Sequence, residues 1–214
     1  MVSFMKLLAA SAHVASIVAL ALEKRGSSII VGYRSVSALQ AKLYHEAGDT
    51  LSYNPDKVGR SSEQLGAGAY ISPIRGDWPM SDSFWDCVIF ADSSAWNLVN
   101  KAWVPETADD GCTPLWYDLG KPNRDAYLKE IGGPGFTTAN TVLLSQIHQF
   151  EKLQILIPST LMGKSGGLGI EVQCAAKKNE EGIKQMPSAY IDWYSWVNVK
   201  GTPQHVNAPQ YGSS

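Results

Sequence analysis

The chain has 214 residues, 44% of them hydrophobic, with 18 lysine and arginine against 20 aspartate and glutamate. A length near 200 fits one domain of ordinary size. The mild negative charge, with no lysine/arginine block, leaves no electrostatic footprint for nucleic acid or an anionic membrane.

Residues 1–25 read as a targeting segment. Lys6 precedes an apolar stretch from Leu7 to Leu22, and Glu23-Lys24-Arg25 follows it. The stretch is short for a spanning helix and is interrupted by Ser11, His13 and Ser16, so a cleaved secretory signal is expected, with a possible dibasic processing site. Removal leaves 189 residues of formal charge −4, from 15 basic and 19 acidic side chains. The expected location is extracellular, with no stable membrane association after cleavage. Cys87, Cys112 and Cys174 then meet an oxidising compartment, where two can pair in any of three ways. No Cys-x-x-Cys or zinc-spaced His/Cys cluster is present, so no metal is expected.

Ser28 to Tyr33 is a β-branched apolar run that predicts a strand, with Arg34 at its end. Ser37 is an N-cap candidate for a helix over 38–47, stopped by Gly48. Asn54-Pro55-Asp56 and Gly59 mark a loop. Gln64-Leu65-Gly66-Ala67-Gly68 is a glycine-rich turn that feeds a strand over 69–72. Residues 85–91 predict a buried strand, 105–125 an irregular region and 124–131 a short helix ended by Gly132-Gly133-Pro134. Strands are expected at 141–147, 152–157 and 170–175, with a flexible turn at 163–169 and a loose tail over 201–214. The seven tryptophans are read mainly as core. Short strands with few helices make the fold class α+β, with a single domain over 26–200.

Gly32-Tyr33-Arg34-Ser35, followed by Gly66-Ala67-Gly68-Ala69-Tyr70-Ile71-Ser72, resembles the first two NAD-binding motifs of the ADP-ribosyltransferase superfamily. The likeness covers roughly residues 28–175, and the chain resembles small secreted fungal proteins and bacterial toxins of that superfamily. It implies a split two-sheet core with NAD in the crevice between the sheets. It implies that Arg34, beside Ser35, anchors the NAD phosphates or ribose, as a planar, permanently charged fork suits. It implies that Gly68 lets the backbone approach the ligand, and that Tyr70 and Ser72 line the nicotinamide pocket.

The third motif departs from the pattern. Active transferases carry a glutamate, often in Glu-x-Glu, before a strand of the type found here as Ile155-Leu156-Ile157-Pro158. In this chain the catalytic position falls on Gln154, with Lys152 two residues earlier and Glu151 as an alternative. A neutral amide can hold a ribose hydroxyl but cannot offset the charge that grows on the sugar. Some NAD glycohydrolases of related fold use glutamine there. The implied activity is therefore cleavage of the nicotinamide–ribose bond of NAD, with water or a host protein side chain as acceptor. The alternative is an inactive binding module or secreted effector of the same fold.

Competing motifs are weaker. Gly163-Lys164-Ser165 lacks the first glycine of a phosphate loop, where Pro158 stands. Gly163-Lys164-Ser165-Gly166-Gly167, with Asp192 and His205 downstream, matches the order of a hydrolase triad, but no helical pattern follows the serine. His45 and His148 are expected at the surface without partners. Glu171 is expected to face solvent.

Overall fold

The computed structural model describes residues 27–58, 63–78 and 80–206. The expected signal segment, Gly59 of the expected loop and residues 207–214 of the expected tail lie outside them. The fold is α+β, with two sheets and a few helices.

The first sheet has the order β1-β3-β7, from Ser28–Val36, Trp85–Asp92 and Glu171–Ala176, all antiparallel. The second has the order β2-β6-β5-β4-β8, from Gly68–Ile71, Leu153–Pro158, Thr141–Gln146, Asn100–Trp103 and Val199–Lys200. In it β4 runs parallel to both β5 and β8, and the other pairs are antiparallel. Among the described residues five α-helices join the strands: α1 Ala38–Glu46, α2 Pro55–Val58, α3 Ser93–Leu98, α4 Tyr117–Gly132 and α5 Glu180–Gln185. Among the described residues no helix is long and apolar enough to cross a membrane.

The unbroken apolar runs of β5 and β6 follow from burial on both faces. Val142, Leu144, Ile155 and Ile157 enter the larger core with Val31, Ile71, Ile89, Trp103 and Trp193. Leu143 and Leu156 point the other way, against Leu128 and Tyr127 of α4. Ser37 caps α1 as expected, its side chain accepting from Gln40 N.

The sheets also join by backbone hydrogen bonds at a seam between β1 and the end of β2. Tyr33 N donates to Ser72 O at 2.8 Å and Ser72 N to Tyr33 O at 2.7 Å. Gly32 permits this approach: a Cβ there would lie 2.4 Å from Ile71 Cγ2 and 2.7 Å from Ser72 O. Of the three cysteine pairings left open by the sequence, the molecule makes Cys87–Cys174, whose residues are direct partners in β3 and β7. Cys112 is free and exposed.

Several boundaries differ from the sequence reading. β1 continues to Val36, so Arg34 and Ser35 lie inside the strand. The irregular region ends early, because α4 starts at Tyr117 and carries Pro122 within it. α3 and β4 had no signal of sufficient length; α3 is a six-residue helix capped by Asp92, and β4 has a buried lysine in its centre. Residues 201–206 make specific contacts, with Gln204 Oε1 accepting from Gln146 N at 2.8 Å and His205 stacked on Tyr194.

Candidate functional site

Beside the seam, the sheets and two connecting segments enclose a cavity of about 480 Å³. β1 contributes Tyr33, Arg34 and Ser35, and the β2 segment contributes Tyr70, Ile71 and Ser72. Gln154 enters from β6, Gln64 from the turn before β2, and Tyr117 from the first residue of α4. The β5–β6 connection closes one side with Ile147, His148, Gln149 and Phe150, and Trp78 and Met80 close the mouth. Arg34, Ser35, Tyr70, Ser72 and Gln154, spread over 120 positions of sequence, thus share one space.

Two predicted residues do not join them. Gly68 is dictated by strand packing: a Cβ there would lie 2.4 Å from Ile157 O across the β2–β6 pair. It brings two strands together and does not border the cavity. Glu151 is exposed in the β5–β6 connection and also lies outside the lining. The adjacent Lys152 turns away to pair with Asp77 at 3.0 Å, with its ammonium over the Trp78 ring.

Arg34 is the permanent cation of the lining, and no carboxylate borders the cavity among the described residues. Arg34 forms no ion pair with the acidic side chains of those residues. An uncompensated guanidinium in a partly enclosed space favours an anionic ligand. The remaining walls combine aromatic, aliphatic and polar side chains, which suits a ligand with flat rings and hydroxyls.

Tyr70 has two functions. Its hydroxyl accepts from Leu65 N at 2.8 Å and Gly66 N at 3.1 Å and donates to Gly66 O at 2.9 Å, closing the glycine turn on itself. Burial raises its pKa well above the usual phenol value, so it stays neutral. Tyr70 also borders the cavity. The Tyr33 hydroxyl is likewise occupied, donating to Ala189 O at 2.9 Å.

Gln154 belongs to a buried amide network that the sequence did not reveal. Its Nε2 donates to Ser145 Oγ at 3.1 Å. Gln64 donates through Nε2 to Gln146 O at 2.8 Å and accepts from His148 N at 3.0 Å through Oε1. Gln64 therefore fixes the segment carrying His148. That histidine, expected to be isolated at the surface, is half-buried in the lining and meets Tyr117 OH through Nδ1 at 3.2 Å. Tyr117 and Gln149 both hold positive φ, 56° and 65°, so two left-handed non-glycine residues border this cavity. His45, the other expected surface histidine, is exposed and pairs with Asp49 at 2.8 Å.

The rejected motifs stay apart from the site. Ser165 is exposed in a 3₁₀ turn, and no hydrogen bond joins it to Asp192 or His205 among the described residues. Glu171 is exposed on β7, as expected.

Residues 63–202 match the model of a family of unknown function, DUF5910, and the chain belongs to that family. No curated protein matches it. The matched segment starts after β1, so Arg34 and Ser35 lie outside it while Gln64, Tyr70, Ser72, His148 and Gln154 lie within.

Proposed function

We propose that this protein has an ADP-ribosyltransferase-like core, is secreted, binds NAD in the cavity beside the seam and cleaves its nicotinamide–ribose bond. One observation carries the reading: Arg34, Ser35, Tyr70, Ser72 and Gln154, singled out by motif resemblance, border the same cavity. The disulfide is compatible with an extracellular location.

In this reading Arg34, which forms no ion pair with the acidic side chains of the described residues, holds the pyrophosphate. The Tyr70 ring and Ser72 wall the nicotinamide. Ser145 takes the Nε2 hydrogen bond of Gln154 and leaves its carbonyl oxygen to accept from a ribose hydroxyl. Cleavage sends the C1′–N electron pair out with nicotinamide, which departs neutral, and charge builds on the ribose. A neutral amide stabilises that charge less than a carboxylate does, so turnover is slow and water is the favoured acceptor. A host protein side chain is the other acceptor to be tested.

A second reading, a binding module that does not cleave, is favoured by the absence of a carboxylate from the described lining. Nicotinamide release separates the two. The protein, secreted from a host that forms disulfides, is incubated with NAD beside Arg34→Ala and Gln154→Ala. Release that both substitutions abolish supports the enzyme. NAD binding without release, with a candidate target protein also supplied, supports the module.

A further inference from the structure

Ser35 and Asp86 are direct partners across β1 and β3, and Ser35 Oγ donates to Asp86 Oδ1 at 2.6 Å. Asp86 is only 7% exposed, and Lys177 Nζ lies 3.7 Å from the same Oδ1. A separate recess of about 10 Å³ shares Ser35 with the lining of the main cavity, and its volume is of the order that admits one water. Arg34, Ser35 and Ser72 border both spaces, while Asp86, Arg75 and Asp77 border the recess alone. A carboxylate absent from the cavity wall therefore lies one hydroxyl away from it.

We infer that Ser35, polarised by Asp86, takes the proton from the water that attacks the ribose. The inference rests on the NAD-cleaving reading and assigns water as the acceptor. The C1′–N bond breaks and its electron pair leaves with neutral nicotinamide. The water oxygen forms the new C1′–O bond. As it does so, a water proton passes to Ser35 Oγ and the Ser35 proton passes to Asp86, which later releases it to solvent. The products are ADP-ribose, nicotinamide and one proton. Ser35 touches the water; Asp86 is a positioning residue that works through it. The short charge-assisted hydrogen bond directs the serine proton at the carboxylate and leaves an Oγ lone pair free for a proton from the recess.

The competing account is that the pair only braces β1 against β3. Nicotinamide release and NAD affinity by calorimetry are measured for the secreted wild type, Ser35→Ala, Asp86→Asn and Asp86→Glu. Expected are losses in kcat of about 10²-fold or more for Ser35→Ala and Asp86→Asn, with KM and Kd for NAD within about threefold. Asp86→Glu should restore part of kcat. Ser35→Ala with kcat within about threefold of wild type would overturn the inference and leave NAD cleavage standing. Should Asp86→Asn fail to fold beside the disulfide, Ser35→Ala decides alone. A wild type that binds NAD but releases no nicotinamide would instead remove the cleavage reading, and this proton path with it.

Discussion

Tyr33 and Ser72 exchange two backbone hydrogen bonds, and this pair is where the two sheets join. Both residues border the cavity, so the same contact that closes the fold also sets the spacing of the site.

The seam depends on Gly32. Ser72 O is backbone and cannot move aside for a Cβ placed 2.7 Å away. Gly32→Ala should lower stability by about 1–3 kcal/mol, the usual cost of overpacking, read as a lower urea midpoint. Under the proposed function NAD affinity should fall with it, since Arg34 and Ser72 lose their relative position. A variant with an unchanged midpoint would show that the seam yields.

Tyr70→Phe keeps the ring and deletes the hydroxyl that closes the glycine turn. Leu65 N and Gly66 N then lose their acceptor. The expected cost is about 1–3 kcal/mol in denaturant unfolding. Under the proposed function NAD affinity should change by less than it does for Tyr70→Ala, which also removes the cavity wall. Equal affinity losses in the two variants would place the ring's contribution elsewhere.

Gln154→Glu puts a carboxylate where the lining lacks one. Under the proposed function it should raise the initial rate of nicotinamide release at neutral pH, because charge on the ribose is then offset. A rate at or below wild type would argue that charge at this position is not what limits turnover.

Lys101 gives a pH signature of folding. Its buried ammonium donates to Trp96 O, to Val99 O at 3.2 Å and to Val197 O at 3.3 Å. Burial lowers its pKa from 10.5 to about 8. Between those values the unfolded chain holds a proton that the folded protein has released, so this group makes stability rise with pH through that window. Lys101→Met should flatten the rise in urea midpoints between about pH 8 and 10. Identical pH slopes for wild type and variant would rule out Lys101 as the source.

The Cys87–Cys174 disulfide spans 87 positions, a loop whose closure contributes about 4–5 kcal/mol on the chain-entropy model. Reduction should lower the urea midpoint accordingly. Before reduction, one thiol, Cys112, should react with a thiol reagent under native conditions. Reactivity of more than one would contradict the pairing.

Sequence by itself determined what local chemistry controls. The α+β class, the first helix with its Ser37 cap and the main strands were legible, and motif resemblance singled out Arg34, Ser35, Tyr70, Ser72 and Gln154, which border one cavity. Periodicity, capping and motif spacing act over neighbouring residues and leave a trace there. Tertiary structure decided the rest, because it depends on which strands become neighbours. Gly68 carried a motif signal, yet its lack of a side chain serves the β2–β6 pair, a contact made 89 residues away with Ile157. Cys87 chose Cys174 only once β3 had paired with β7. His148 has no partner in sequence, and Gln64 and Tyr117 reach it only through the fold. Asp86 gave no sequence signal either; register alone sets it opposite Ser35 and brings a carboxylate to the edge of a cavity whose own wall has none.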